Sequence, residues 1–318
     1  MQTLTAETLH TLLTPSLVVD ALRKGFASGV HVPLRHHHTV PTGGDPGTML
    51  IMPAWSESND GRSVLGVKLV NVYTANPEKG IPSIQGSYIL FEKQTGTPIA
   101  TLDGSTITLF RTAAASVLAA TFLARPDSKR LLMVGTGRLA PYIVRTYVDV
   151  MDIEDVRIWG RNLEKATSTA ASLSDLGIEA KAVSEIQEGV EWADIISCAT
   201  MSTSPLVLGR WLKPGQHVDL IGGFTEEMRE TDDEAAGRSS LFVDTREGAL
   251  SEAGDLIQPI RNGVIQEEDI LADLTDLVTN KHSGRSSVQQ ITLFKSVGTA
   301  LEDLATAQLA VDLASSKT

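Results

Sequence analysis

The spacing of hydrophobic positions changes twice along the first part of the chain. Residues 5–28 carry apolar residues at helical intervals and predict helix. From about residue 31 to 103, short apolar runs of strand length are separated by turn residues such as Asn59-Asp60-Gly61, which predicts a meander or hairpin sheet. Residues 104–125 then predict a helix rich in alanine.

Beyond residue 129, continuous apolar strands alternate with helices. The predicted strands cover residues 130–134, 156–159, 193–199, 217–221 and 240–244. This alternation is typical of the α/β class, with a parallel, doubly wound sheet of the Rossmann type. A last amphipathic helix over about 298–313 lies beyond the strand series, so we expect it to return to the N-terminal domain.

A glycine-rich turn follows the first strand of this series. Gly135-Thr136-Gly137-Arg138-Leu139-Ala140 fits the pattern G-x-G-x-x-A. The first glycine makes the tight turn, the second lets a pyrophosphate approach the backbone, and the small last residue lets helix pack on strand. Because a strand precedes the turn and a helix follows it, we predict a dinucleotide site with the phosphates at the helix N-terminus. The alternative is a glycine turn with a structural role alone.

The residues after the second strand of the series indicate which dinucleotide binds. An NAD site usually places Asp or Glu there to hold the ribose 2′-hydroxyl. Trp159-Gly160-Arg161-Asn162 contains no carboxylate, and the planar guanidinium of Arg161 suits a 2′-phosphate. Lys165, one turn into the next helix, would add positive charge. We therefore predict NADP(H), against the alternative that Arg161 is an ordinary surface residue.

Three cations that precede the glycine turn stand in unusual contexts. Lys68 lies inside an apolar run, where a lysine must reach an anion or point outward from an edge strand. Arg111 begins the alanine-rich stretch, and a cation at a helix start opposes the helix dipole. Arg35 follows Pro33-Leu34 in the preceding loop. Together the three would hold a substrate carboxylate, with bidentate geometry from the arginines.

His36-His37-His38 suggests a metal site at first sight. Consecutive residues of an extended chain point to opposite faces, so the three cannot readily bind one metal. The chain also lacks an H-E-x-x-H motif and has a single cysteine, Cys198. We expect no metal, and we consider that one histidine, with His36 the first choice, lines a substrate pocket instead.

Composition narrows the classes of function. A formal net charge of −12 over 318 residues disfavours nucleic acid as a partner, because its phosphates need a basic face. One cysteine excludes an intramolecular disulfide and suits a reducing compartment. The first residues lack the pattern of a secretory signal, and no run of about 18 apolar residues is present. We expect a cytoplasmic protein that binds neither nucleic acid nor membrane.

Several ordered motifs resemble the ornithine cyclodeaminase/mu-crystallin family over nearly the whole chain. They are Pro33-x-Arg35, Met52-Pro53-Ala54, Gly66-Val67-Lys68-Leu69-Val70, Leu109-Phe110-Arg111-Thr112-Ala113-Ala114, the glycine turn at 135–140, Gly222-Gly223-Phe224 leading to Met228-Arg229-Glu230, and Phe294-Lys295-Ser296-Val297-Gly298. The resemblance implies a substrate-binding and dimerisation domain of the α+β type from residues 1–115 with 298–318. It also implies an NADP-binding Rossmann domain from residues 116–297, and a homodimer.

The resemblance further implies roles for individual residues. Arg35, Lys68 and Arg111 would hold the substrate carboxylate near the nicotinamide, and Met52 and Phe224 would be further substrate contacts. The catalytic candidates are Lys68, Arg111 and His36, with the pKa of Lys68 lowered by its cationic neighbours. Cofactor contacts would be Thr112, Gly135, Thr136, Gly137, Arg138, Leu139, Arg161, Asn162, Lys165, Thr200, Gly222 and Ser296.

Departures from the family pattern favour one branch. Cyclodeaminases carry an acidic residue after the second strand and an Asp directly after the Gly-Gly pair, whereas this chain has Gly160-Arg161 and Phe224. The run around Phe224 is similar to the ketimine reductases that convert Δ1-pyrroline-2-carboxylate to L-proline and Δ1-piperideine-2-carboxylate to L-pipecolate with NADPH. The alternatives are an alanine or opine-type dehydrogenase, an ornithine cyclodeaminase, and a non-catalytic protein that binds NADPH and a small ligand.

Overall fold

The computed structural model describes residues 1–58 and 63–316, so the predicted turn at Asn59-Asp60-Gly61 lies outside the described residues. Its helices and strands, in chain order, are β1 (Gln2–Leu4), α1 (Ala6–Leu12), α2 (Pro15–Ala27), β2 (Val30–His31), β3 (His36–Val40), β4 (Gly47–Ser56), β5 (Val64–Val72), β6 (Ile84–Glu92), β7 (Pro98–Asp103), α3 (Gly104–Leu123), β8 (Arg130–Val134), α4 (Ala140–Met151), β9 (Asp155–Trp159), α5 (Leu163–Ser174), β10 (Ala180–Val183), α6 (Ile186–Trp192), β11 (Ile195–Cys198), β12 (His217–Leu220), α7 (Asp233–Gly237), β13 (Ser240–Val243), α8 (Arg246–Glu252), α9 (Gly254–Arg261), β14 (Ile270–Asp273), α10 (Leu274–Val278), β15 (Thr292–Lys295) and α11 (Ala300–Ser316). The chain divides into a first unit, residues 1–111 with 299–318, and a second unit, residues 112–298.

The first unit is built on one mostly antiparallel sheet. Its strand order is β1-β7-β6-β5-β4-β2, with β3 also paired to β4. Strands β4 to β7 form the predicted meander, and β1 adds to β7 in parallel. Side chains in register across four strands, Met52, Lys68, Tyr88 and Leu102, are all buried on one face of this sheet. Helix α11 packs against β4, β5 and β6 and against α2.

The helix predicted over residues 5–28 is in fact two helices. α1 ends at Leu12, and α2 starts at Pro15 with Thr14 as its N-cap, whose hydroxyl accepts the N–H of Leu17 at 3.4 Å. Proline is favoured at the first helical position because an N–H there would have no acceptor within the helix, so its absence costs no hydrogen bond. The apolar spacing carries no trace of this break, whereas the Thr-Pro pair does.

Helix α3 is long and apolar, and it begins well before Arg111. Gly104 is its first residue, and Asp103 caps it by accepting the N–H of Thr106 at 2.7 Å. The prediction that Arg111 stands at a helix start is therefore wrong, because Arg111 lies two turns inside α3. By length and composition α3 is able to cross a membrane, but 78% of its most apolar window is buried in the molecule, as in the core helix of a globular protein.

The second unit is an eight-stranded parallel sheet, which confirms the predicted Rossmann-type fold. Its strand order is β10-β9-β8-β11-β12-β15-β13-β14. The chain moves outward from β8 through β9 to β10 and then returns to β11 on the other side of β8. This reversal makes a topological switch point between β8 and β11. In doubly wound sheets, ligands bind outside the carboxyl ends of the strands at such a point.

Strand β15 lies in the middle of this sheet, between β12 and β13, and it was absent from the predicted series. All four of its residues are buried. Two of them, Thr292 and Lys295, are polar, so the segment shows neither a continuous apolar run nor a strict alternation. Strands β10 and β14 were missed as well, and both are four residues long.

Candidate functional site

The glycine turn lies at the carboxyl end of β8, at the switch point of the sheet. Gly135 has a φ of +126° and donates its N–H to the carbonyl oxygen of Trp159 at 2.9 Å. A Cβ at Gly135 would lie 2.6 Å from the carbonyl oxygen of Ala199, so both conformation and space require glycine. Gly137 is exposed, and a Cβ there would meet no atom of the described residues within 4 Å. The second glycine therefore leaves the open approach that a pyrophosphate needs.

Helix α4 begins directly after this turn. Its N-cap is Leu139, which makes no side-chain capping hydrogen bond. The amides of a first turn without a cap are available to an anion, which the helix dipole also favours. Thr136 and Leu139 are half-buried and Arg138 is exposed. The residues present fit the diphosphate of a dinucleotide.

The segment after β9 presents basic and amide side chains to solvent. Arg161, Asn162 and Lys165 are exposed, and the Asn162 Oδ1 accepts the N–H of Lys165 at 2.9 Å as the N-cap of α5. Gly160 makes room for Thr136 of the glycine turn, since a Cβ would lie 2.6 Å from the Thr136 Cγ2.

Two predicted cofactor residues, Thr200 and Gly222, are bound to the same buried carboxylate. The backbone N–H and the hydroxyl of Thr200 donate to the Glu230 Oε1 at 2.7 and 2.8 Å, and the N–H of Gly222 donates to the Oε2 at 2.8 Å. A Cβ on Gly222 would lie 1.8 Å from the Thr200 carbonyl oxygen, so the two loops touch through their backbones. Burial raises the pKa of Glu230 to about 7. The sequence places Glu230 in a motif but indicates no function for it.

Two further cofactor candidates are buried. Thr112 lies in α3. Ser296 is 1% exposed, and its hydroxyl donates to the Asp244 Oδ2 at 3.0 Å. The same oxygen accepts the N–H groups of Val297 and Gly298 at 2.8 and 2.6 Å. The Ser296 side chain thus helps to shape the turn after β15.

Lys68 and Arg111, two of the three predicted cations, lie together within the first unit, and two acids accompany them. The Lys68 Nζ lies 2.7 Å from both carboxylate oxygens of Asp303 and 3.4 Å from the Thr108 hydroxyl. The Arg111 Nη1 lies 2.8 Å from the Glu302 Oε2, and its Nε lies 3.3 Å from the Asp303 Oδ1. Lys68 is 1% exposed, Arg111 7%, and both acids 0%. We call these four residues the buried ion cluster.

Glu302 and Asp303 are functional candidates that the sequence prediction missed. They lie in the first turn of α11, where acids suit the helix dipole. The available signal is that they are adjacent charges in a helix otherwise made mainly of alanine, leucine and other small or apolar residues. Their two negative charges equal the two positive charges of Lys68 and Arg111. The third predicted cation, Arg35, is half-buried.

The pKa of Lys68 is lowered to about 8, but mainly for a reason other than the one predicted. Burial is the largest cause, Asp303 opposes it, and the positive charges of Arg111 and Arg35 lower the pKa further. The predicted influence of cationic neighbours is therefore secondary to desolvation. The effect of Arg35 on Lys68 also places its charge near the cluster.

The sheet register separates the other substrate candidates of the first unit. Met52 pairs with Lys68 across β4 and β5 and is 3% exposed, so it packs beside the cluster. His36 pairs with Ile51, which pairs with Leu69. These residues lie on the sheet face opposite Lys68. His36 is exposed there, so the structure does not bring this catalytic candidate to the buried ion cluster.

Tyr88 is a second missed neighbour of Lys68. It pairs with Lys68 across β5 and β6, and its side chain is fully buried. A Cβ at Gly66 would lie 1.9 Å from the Tyr88 hydroxyl oxygen, so the glycine of the Gly66-Val67-Lys68 motif makes room for this tyrosine. Burial and the charge of Asp303 raise the pKa of Tyr88 well above its usual value.

Phe224, the last substrate candidate, belongs to the second unit. It is half-buried in the loop after β12, two residues beyond Gly222. Within residues 1–58 and 63–316, no group of three or more His, Cys, Asp or Glu side chains is arranged to hold a metal ion.

Comparisons with known proteins agree on one family. The family model described as "Ornithine cyclodeaminase/mu-crystallin family" matches residues 3–318. The chain is 42% identical over 287 residues to a Δ1-pyrroline-2-carboxylate reductase of Paracoccus denitrificans, covering 90% of this chain and 88% of that protein.

Two solved structures are similar over almost the whole length. One is a Thermococcus litoralis Δ1-pyrroline-2-carboxylate reductase in complex with NADH and L-proline, with 37% identity, a TM-score of 0.93 and coverage of 100% of this chain and 98% of that chain. The other is an archaeal alanine dehydrogenase dimer with bound NAD, with 28% identity, a TM-score of 0.89 and coverage of 99% and 96%.

Proposed function

The chain belongs to the ornithine cyclodeaminase/mu-crystallin family, and from that premise we propose that it reduces cyclic imine 2-carboxylates with NADPH. The substrates are Δ1-pyrroline-2-carboxylate, which gives L-proline, and Δ1-piperideine-2-carboxylate, which gives L-pipecolate. The observation that carries the proposal is the buried ion cluster beside Arg35, a fixed set of cationic donors suited to one carboxylate. The 42% identity to a reductase of the first substrate supports it.

The cations of the cluster anchor the substrate carboxylate. Glu302 and Asp303 hold Arg111 and Lys68 in place, so that little reorganisation is needed when the substrate arrives. Arg35 adds a third positive charge near Lys68, and an arginine is able to bind a carboxylate in bidentate fashion. The ring nitrogen of the substrate carries a proton, so that the imine carbon is electrophilic.

The second unit holds the nicotinamide cofactor. The glycine turn and the start of α4 receive its diphosphate, and Arg161 with Lys165 receives the 2′-phosphate that distinguishes NADPH from NADH. When bound, the reduced nicotinamide supplies the hydride that reduces the imine carbon. Thr200 and Gly222 line the carboxyl edge of the same sheet.

Lys68 is the group best suited to move a proton. Its pKa of about 8 allows it to hold or release a proton near neutral pH. Because the iminium nitrogen already carries its proton, addition of a hydride gives the neutral amine, and no further proton is needed to complete the reduction. Lys68 is then able to donate its proton to the neutral product amine, so that the amino acid leaves in its ammonium form.

We further propose a homodimer formed through the outer face of the first unit's sheet. Leu65, Val67 and Leu69 alternate with buried residues along β5 and are only half-buried, as are Ile89 and Phe91 on β6. A continuous apolar face of this kind marks an interaction surface. A second copy is its occupant because the similar alanine dehydrogenase is a dimer. We also propose that the protein is cytoplasmic, because a single cysteine suits a reducing compartment.

The proposed activity is tested by following the absorbance of NADPH, and of NADH in parallel, with each of the two cyclic imines. We expect both imines to be reduced, with NADPH preferred. Oxidation that instead requires ammonia and pyruvate would identify an alanine-type dehydrogenase. Release of ammonia from ornithine without net NADPH use would identify a cyclodeaminase. NADPH binding without turnover of any imine would leave a binding protein.

A further inference from the structure

Three charged side chains of the second unit are buried together at the carboxyl edge of its sheet. Glu230, Asp255 and Lys295 are each no more than 1% exposed, and the Lys295 Nζ lies 3.5 Å from the Asp255 Oδ2. None of them is among the predicted contacts of cofactor or substrate. Because buried charges are costly without partners, their contacts show what this triad holds in place.

Asp255, in the first turn of α9, fixes the segment that carries Glu230. Its Oδ1 accepts the N–H groups of Glu230 and Thr231 at 2.7 and 3.0 Å and the Thr231 hydroxyl at 3.2 Å. Gly223 packs on the same triad, since a Cβ there would lie 3.2 Å from the Asp255 Oδ2 and 3.4 Å from the Lys295 Nζ. Glu230 is thereby presented to its partners on a rigid support.

Those partners are the two loops described above, at Thr200 and Gly222. Thr200 follows β11 and Gly222 follows β12, and these strands are neighbours in the sheet. Both loops lie at the carboxyl edge, where a doubly wound sheet binds its dinucleotide. One carboxylate therefore sets the spacing of two loops that approach the cofactor.

We propose that Glu230 is a positioning residue for the nicotinamide cofactor, whose carboxylate holds the backbones of Thr200 and Gly222 in the geometry that cofactor binding requires. This inference rests on the proposed function only in that the chain binds a nicotinamide dinucleotide. The negative charge matters because a carboxylate accepts hydrogen bonds at both oxygens, whereas a neutral carboxyl or amide turns a hydrogen-bearing atom toward one of its donors.

Glu230→Gln tests the proposal, because it keeps the shape of the side chain and removes one acceptor. We expect the Kd for NADPH, titrated directly without imine, to rise about tenfold, as for the loss of a hydrogen bond to a charged group. NADH is titrated in parallel. The matched control is Glu227→Gln, an exposed acid of the same segment, which should leave both values unchanged.

The pH dependence of binding adds a readout that a merely structural role would not move. Burial raises the pKa of Glu230 to about 7, Lys295 lowers it, and Asp255 raises it. The buried thiol of Cys198 also faces the triad, and its own pKa is raised well above 9. The carboxylate is therefore lost as the pH falls through about 7, and the wild-type Kd should rise there, whereas Glu230→Gln should lack this inflection.

Amide exchange in the wild-type protein gives an answer even if the variant fails to fold. Protection of the Thr200 and Gly222 amides should fall between pH 8 and pH 6 relative to Ala199 and Ile221, whose N–H groups donate to backbone carbonyls of neighbouring strands. A wild-type Kd in a folded Glu230→Gln, or an unchanged protection ratio, overturns the proposal. If the Kd for NADPH responds to pH and to Glu230→Gln as expected but no imine is reduced, only the proposed function is contradicted.

Discussion

Lys68 stands where an amphipathic sheet would ordinarily place a large apolar residue. It lies in the central strand β5 between Met52 and Tyr88, and its ammonium group is buried against Asp303. Desolvation and the charges of Arg111 and Arg35 favour the neutral amine, the carboxylate of Asp303 favours the cation, and the pKa of about 8 shows that the first influences outweigh the second. A group with this pKa is charged at neutral pH and changes its charge within the range of an ordinary assay.

Lys68 should therefore impose an alkaline limit on substrate binding. Since its pKa is lowered, the positive charge is present below about pH 8 and is lost as the pH rises through that value. We expect the KM for the cyclic imine to rise above pH 8 in the wild type. Lys68→Arg remains charged, so the rise should move to higher pH in rate measurements from pH 6 to 10 with the same substrate. An identical rise of KM above pH 8 in both proteins would assign this rise to another group.

Arg161 should determine the choice of coenzyme. It is exposed after β9, in a segment that lacks the acidic residue typical of NAD sites. Arg161→Glu would repel a 2′-phosphate and offer a carboxylate to a 2′-hydroxyl. We expect kcat/KM for NADPH to fall at least tenfold, while that for NADH is kept or rises. Equal losses with both coenzymes would show that Arg161 does not contact the 2′ position.

The chemistry of single residues was predictable only where it is local in the sequence. The glycine turn was found because its residues are adjacent to one another and to the strand and helix they join. The partner of Lys68, in contrast, lies 235 residues further along the chain, and sequence spacing carries no information about such a pair. Glu230 escaped for a similar reason, because its meaning depends on Thr200, 30 residues earlier, as well as on Gly222 in its own loop.

At the scale of elements, α11 carries the two acids that neutralise the buried cations of the first unit. It packs on α2 and on strands β4 to β6, and Glu302 and Asp303 both lie in its first turn. Removing one member of a buried ion pair destabilises a protein more than replacing both members with apolar residues, because the remaining charge stays desolvated. The docking of α11 is therefore coupled to the ionisation of the cluster.

Asp303→Asn should destabilise the protein strongly. It leaves Lys68 buried without its nearest anion, and breaking a buried pair costs about 3–5 kcal/mol of unfolding free energy. Urea unfolding monitored by circular dichroism measures the difference. Asp312→Asn, an exposed acid of the same helix, is the control and should change stability by less than about 1 kcal/mol. Equal stabilities of the two variants would show that the buried pair of Lys68 and Asp303 does not stabilise the protein.

Elements were predicted well where periodicity and length agree. Strands β8, β9, β11, β12 and β13 were found, because each is a short, largely apolar segment in the series that alternates with helices. Strand β15 was missed because polar residues at both of its ends leave a run of only two apolar residues, and the break between α1 and α2 was missed because apolar spacing continues across it. In both cases tertiary partners or capping, and not periodicity, decide the local structure.

At the scale of the whole molecule, the outer sheet face of the first unit is the feature that a monomer would leave in water. We expect the protein to have twice the mass of one chain in light scattering after gel filtration. Val67→Glu places a charge on this face and should give monomers. Val288→Glu, at an exposed apolar residue of the second unit, should remain dimeric. A monomeric wild type, or a dimeric Val67→Glu, would remove this face from the assembly.

The first unit is assembled from two distant stretches of the chain, and this constrains the order in which the chain folds during synthesis. Residues 112–298 form a continuous unit, whereas α11 leaves the ribosome only after that whole unit has been made. Until then the nascent strands hold Lys68 without its counter-anion, an arrangement that a packed apolar layer does not tolerate. The strands of the first unit therefore complete their folding only after α11 has been synthesised. Residues 112–298 are able to fold before residues 1–111 do.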